Sequence, residues 1–222
     1  SYIWRDKQTG LKLVCDVKGY PHYNAVEWVL RFTNTSGKAS PTLKDVKVID
    51  IDFQYPSVGD ITLHYADGTH VSKADFHPRK KVLVEGEIMH ISPQGGRSAD
   101  NALPLFNIAS PSNQVAMVAV GWSGTWYSDF QKTGNNRVSL VSGMKWLEAY
   151  LHAGEAIRTP GICLLFWNDE DRMAGHNKFR RFVLNHQTHK MNGEPTRYPV
   201  STSFNYGDPH HCNEYTCMST DY

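Results

Sequence analysis

The chain has 222 residues, of which 40% are hydrophobic and 20% charged, enough apolar material for one large core and too much for a disordered segment. Its 23 Lys+Arg against 22 Asp+Glu leave a net charge of +1, without the basic excess of a protein built mainly to hold nucleic acid. No apolar run approaches the roughly 20 residues that span a bilayer, so no membrane partner is expected.

The first two-thirds reads as strand after strand. Ala25 to Phe32 alternates, with Val26, Trp28, Leu30 and Phe32 on one face and Glu27, Val29 and Arg31 on the other, the period of a half-buried strand. Asn34-Thr35-Ser36-Gly37 has turn composition, and its first three residues form a formal glycosylation sequon. Val48 to Phe53 repeats the alternation, with Ile49, Ile51 and Phe53 inward and Asp50 and Asp52 outward. Ile61 to Tyr65 and Thr69 to Val71 flank Ala66-Asp67-Gly68, a pattern that predicts a hairpin. Further strands are predicted over 81–91, 115–122, 138–151 and 161–167. The last is apolar on both faces, as a strand central to a layered sheet must be.

After Trp167 the organisation changes. Asn168-Asp169-Glu170-Asp171 offers N-cap and first-turn acidic chemistry for a helix over 170–187, with a stripe of Met173, His176, Phe179, Phe182 and Val183. Asn192-Gly193-Glu194-Pro195 ends it, and Tyr198 to Phe204 could open a new strand. The reading is therefore mainly β: a large antiparallel sandwich over 1–168, a helix and loop over 169–195, and the start of a further element over 196–222.

Four clusters could carry chemistry, and each has a plain structural alternative. Gly121-Trp122-Ser123-Gly124-Thr125-Trp126-Tyr127 could stack on sugar faces, or its tryptophans could fill the core. The loop Gly95-Gly96-Arg97-Ser98-Ala99-Asp100-Asn101 lacks the Gly-Lys-Ser/Thr ending of a phosphate loop and reads better as a structured loop presenting Arg97, Asp100 and Asn101. His210, His211, Cys212 and Cys217 fall within eight residues, too cramped for an ordinary tetrahedral zinc site, and read as loop residues or a facultative disulfide. Cys15 and Cys163 sit in apolar runs as inert thiols. Asp50 and Asp52 share a solvated face, which argues against a glycosidase carboxylate pair. No catalytic residue, metal site or cofactor can be nominated from spacing.

Taken in order, several motifs resemble the amino-terminal region of glycoside hydrolase family 36, the melibiase group. They are Thr9-Gly10-Leu11, Ala25 to Leu30 with Phe32 to Thr35, Gly96 to Phe106, Val118 to Trp126, Arg158-Thr159-Pro160, Leu165-Phe166-Trp167, Gly175-His176-Asn177 and Arg180-Arg181-Phe182. The resemblance covers nearly the whole chain. It implies a β-supersandwich of the galactose-mutarotase-like kind, a linking helix, and a (β/α)₈ catalytic barrel of which 196–222 would be the truncated start. The family's two catalytic aspartates lie on later barrel strands, so none falls in these residues. Where family loops often carry a His, this one runs Ser98-Ala99-Asp100-Asn101-Ala102, and Phe204-Asn205-Tyr206 replaces a Trp near a Glu or Asn.

The function that follows is a non-catalytic portion of a retaining α-galactosidase. It would pack on its own catalytic barrel and shape a pocket for an α-galactoside or related sugar, without a cofactor. Arg97, Asp100, Trp122 and Trp126 would line that rim, and Asn205 and Tyr206 would face substrate from the end of the first barrel strand. The alternatives are an independent carbohydrate-binding module and an architectural sandwich used in homo-oligomer contacts. A bacterial source would leave cytoplasm, periplasm and secretion all open.

Overall fold

The computed structural model describes residues 1–70 and 72–196. Alternating apolar residues build fourteen strands in the first compact unit, residues 1–180. They are β1 (Tyr2–Arg5), β2 (Leu11–Tyr20), β3 (Ala25–Asn34), β4 (Leu43–Lys44), β5 (Lys47–Gln54), β6 (Thr62–Ala66) and β7 (Pro78–Val82). They continue as β8 (Ile88–Ile91), β9 (Leu105–Ala109), β10 (Gln114–Gly121), β11 (Trp126–Gly134), β12 (Arg137–Met144), β13 (Glu148–Ala149) and β14 (Ala156–Asn168). An eight-stranded sheet runs β1-β2-β3-β14-β10-β9-β6-β7, and a four-stranded sheet runs β5-β12-β11-β8; β4 pairs with β13. Every ladder is antiparallel, giving the expected β-supersandwich.

The two inner faces meet in one core. Leu63, Phe106, Ile108, Val118, Ile162 and Leu164 face it from the large sheet, and Ile49, Phe53, Trp126, Phe130, Val138 and Leu140 from the small one. Phe106 sits edge-on to both Trp126 and Phe130, with ring centroids 5.7 and 4.9 Å apart. Such pairs add to the area they bury. β14 lies between β3 and β10, the central place its two apolar faces require. Its register shifts between Arg158 and Gly161, where Pro160 has no N–H to give the ladder.

Three expectations change in detail. Asp67-Gly68 does not close a tight hairpin: β6 pairs with β7, beyond the loop 67–77. Asp67 is instead spent on Arg79, at 2.8 Å, and a Cβ at Gly68 would stand 2.0 Å from the Ala99 carbonyl oxygen. The stretch 81–91 divides into two strands in different sheets, joined through Gly86 at φ 81°. The stretch 138–151 breaks after Met144, because Trp146 takes a left-handed backbone at φ 61°.

The helix α1 (Arg172–Phe182) starts two residues later than expected. Asp171 caps it, Oδ1 accepting from the Met173 N–H at 2.9 Å. Met173, placed in the apolar stripe by spacing, is exposed; Gly175 is buried, with the Trp167 indole where its Cβ would be. In the second unit, from residue 181, a wide π-type turn covers Val183–Gln187, and β15 (Lys190–Met191) pairs with β16 (Glu194–Pro195).

Candidate functional site

At one tip of the sandwich three loops converge, namely 92–103, 121–125 and 145–147. The first is the Gly-Gly-Arg segment. Its frame is internal: the Asp100 carboxylate, 6% exposed, lies 3.2 Å from Arg97 Nη2 and 3.3 Å from His70 Nδ1. The Gln94 N–H donates to the Asp100 carbonyl at 3.3 Å. A Cβ at Gly95 would fall 1.7 Å from Asp100 Oδ2, so any side chain there would displace the carboxylate from its present place. Asn101 adopts φ 69°, which Asn tolerates better than most residues, and its amide nitrogen is buried without an acceptor among the described residues.

From beneath, Trp126 supports the loop. It is fully buried, and its indole N–H donates to the Ser98 carbonyl at 2.8 Å. As placed, Trp126 offers no face to a solute; it fills core, the plain alternative weighed for this cluster. Trp122 is half-buried, with the Arg158 guanidinium 5.7 Å from its ring centre. Arg97 leaves 71% of its side chain in solvent despite its bond to Asp100. Asn205 and Tyr206, like Cys212 and Cys217, lie outside the described residues.

The sequence reading missed Trp146. It is 76% exposed, with Lys145 Nζ 4.7 Å above its ring. Lys145 also ties the third loop to the other two: its N–H donates to the Thr125 carbonyl at 3.1 Å and its Nζ to Ser92 Oγ at 3.0 Å. A bulky residue at positive φ is costly, and Trp146 is both strained and turned outward. The sequence signal was the run Met144-Lys145-Trp146, which continues a strand pattern and so hides the break.

The other candidates stand as structural residues. Asp50 pairs with Lys47 at 2.8 Å and Asp52 lies 3.9 Å from Arg137, all exposed. Burial pushes the Cys163 thiol up to about 12, and Cys15 is raised as well. Asn34 is fully buried, its Nδ2 donating to the carbonyls of Lys38 and Leu151 and its Oδ1 accepting from Ser36, so the sequon is a structural turn. Among the described residues no helix is long and apolar enough to cross a membrane, and no cluster of three His, Cys, Asp or Glu could hold a metal ion.

Fold and loop tip together define a two-sheet β-supersandwich domain with a structured rim. The sequence model of the glycosyl hydrolase family 36 N-terminal domain matches residues 1–152, and the chain belongs to that family. Solved structures share the fold. The α-galactosidase AgaA of Geobacillus stearothermophilus superposes with a TM-score of 0.63 at 17% identity, over 75% of this chain and 23% of that one. Its A355E variant with 1-deoxygalactonojirimycin reaches 0.70 at 15% identity, over 84% and 26%. The α-galactosidase of Lactobacillus brevis gives 0.65 at 20% identity, over 81% and 24%. This chain thus spans about a quarter of the length of these relatives. No curated protein matches the sequence significantly.

Proposed function

We propose that this chain is the non-catalytic amino-terminal portion of a retaining α-galactosidase-type glycoside hydrolase, and that its loop tip packs on a catalytic barrel and shapes the substrate pocket. One observation carries the reading: the buried members of the tip, Trp126, Asp100, Gly68 and Gly95, are committed to holding the loops, while Arg97 and Trp146 stand out from that rigid frame. A strained, exposed tryptophan is costly to maintain in water, and with the exposed Arg97 on the same tied loops it suits a rim that meets a sugar or a neighbouring domain. Residues 196–222 would then lead into the barrel.

The test is hydrolysis of a chromogenic α-galactoside by the gene's full-length product, with the 222-residue chain as control. Activity in the former alone is expected, reduced by Trp146→Ala or Arg97→Ala. Activity in the 222-residue chain, or a full-length product inert towards α-galactosides, would overturn the reading. The exposure of Trp146 also favours a second reading, an independent carbohydrate-binding module. That reading requires measurable galactoside affinity in the 222-residue chain, lost in Trp146→Ala.

A further inference from the structure

The outer face of the eight-stranded sheet carries a feature unrelated to the loop tip. Register places Lys80 of β7, His64 of β6, Asn107 of β9 and Met117 of β10 in one cross-strand row. Side chains in such a row leave the same face. Arg172 and His176, one turn apart at the start of α1, line the same cleft, of about 420 Å³. No carboxylate lines this cleft among the described residues. A smaller hollow beside it shares His64, Asn107 and Arg172 and includes Asp60 and Asp169, the latter accepting from the Asp171 N–H at 2.9 Å.

The charge here is one-sided. Arg79 and Lys81 are paired with Asp67 and Glu87, whereas Lys80 and Arg172 have no ion pair among the described residues. Asn107 is only 8% exposed, yet its side-chain amide has no hydrogen bond among the described residues. The amide lines the cleft with its hydrogen-bonding capacity unused, so it is available to a bound acceptor. The imidazoles feel both their burial and this charge. Burial first, then the charges of Arg172, Lys80 and His176, push His64 down to about 4, and burial with Arg172 lowers His176.

We infer that this cleft is an anion site, in which Lys80 and Arg172 supply charge while Asn107 and the two imidazoles supply oriented hydrogen bonds to a carboxylate or phosphate group. The group can come from a soluble anion or from an acidic side chain elsewhere in the polypeptide. The chemistry is the same, since both present two or more acceptor oxygens to a cationic pocket.

Titration of the 222-residue chain with inorganic phosphate at pH 7 and constant ionic strength, followed by the imidazole NMR signals of His64 and His176, tests the site. Saturable shifts at both are expected, with a rise in the His64 titration midpoint. Arg172→Gln and Lys80→Gln should each weaken binding roughly tenfold, while Lys81→Gln, on the opposite face, leaves it unchanged. Linear, unsaturable shifts, or binding unaltered in Arg172→Gln, would overturn the inference. The same titration on the full-length product separates the sources. Retained phosphate binding identifies a soluble anion. Loss of binding with an already raised His64 midpoint identifies an internal carboxylate. Loss of binding with a midpoint still near 4 counts against the site.

Discussion

The indole N–H of Trp126 reaches the carbonyl of Ser98 at 2.8 Å, linking the centre of the core to a loop in solvent. The ring itself is fully buried and meets Phe106 edge-on. Core packing and loop position are therefore set by one side chain, and a change in either is transmitted to Arg97 and Asp100, which flank Ser98 and Ala99.

Trp126→Phe separates the two roles. It keeps an aromatic ring in the core but deletes the donor, so the Ser98 carbonyl loses its partner. A loss of about 1–3 kcal/mol in unfolding free energy is expected, read from the urea midpoint. Amide hydrogen exchange should accelerate over 94–103 and stay unchanged in β12. Uniform acceleration across both would mean the indole bond does not hold the loop.

Glycine positions beneath the loop give a second expectation. Gly68→Ala puts a Cβ 2.0 Å from a backbone oxygen, which no side-chain rotation can relieve. It should cost on the order of 1–3 kcal/mol. Gly19→Ala meets nothing within 4 Å, and in an exposed strand position it should be neutral to slightly stabilising. Equal midpoints for the two variants would refute the close packing of loops 67–77 and 92–103.

Trp146 offers a trade between stability and function. Its φ of 61° is one that glycine adopts freely. Trp146→Gly therefore relieves strain while adding freedom to the unfolded chain, so unfolding free energy should hold or rise by up to about 1 kcal/mol. Activity of the full-length product should fall. A clear loss of stability would show that the ring packs against the domain after all.

Much of the sandwich was legible because period-two patterns survive wherever one face is buried. Ile49, Ile51 and Phe53 turn inward as read, and the doubly apolar run of β14 does lie in the sheet's centre. What stayed hidden depends on partners distant in sequence. Asp67-Gly68 carries hairpin chemistry, but Arg79 and Ala99 claim both residues first. Trp122 and Trp126 are four residues apart in one motif, yet one is half-exposed and the other fully buried. Nothing local distinguishes Trp146 from a strand residue, and its exposure follows from a left-handed turn that spacing does not encode.

His64 gives the pH dependence a definite sign. Its midpoint in the folded chain is held down near 4, below the ordinary imidazole value of 6.5, by burial and by Arg172, Lys80 and His176. Between these values the unfolded chain binds more protons than the folded one, so stability rises with pH through that window and is lost as pH falls towards 4. His176, lowered in the same direction, adds to the slope. Because the ring is only partly buried, solvent screening limits the His64 share to about 1–2 kcal/mol. Urea midpoints at pH 7 and pH 5 should therefore differ less in His64→Asn than in the parent chain, with the two proteins converging as pH drops. A difference between pH 7 and pH 5 that is unchanged by the substitution would place the acid sensitivity elsewhere.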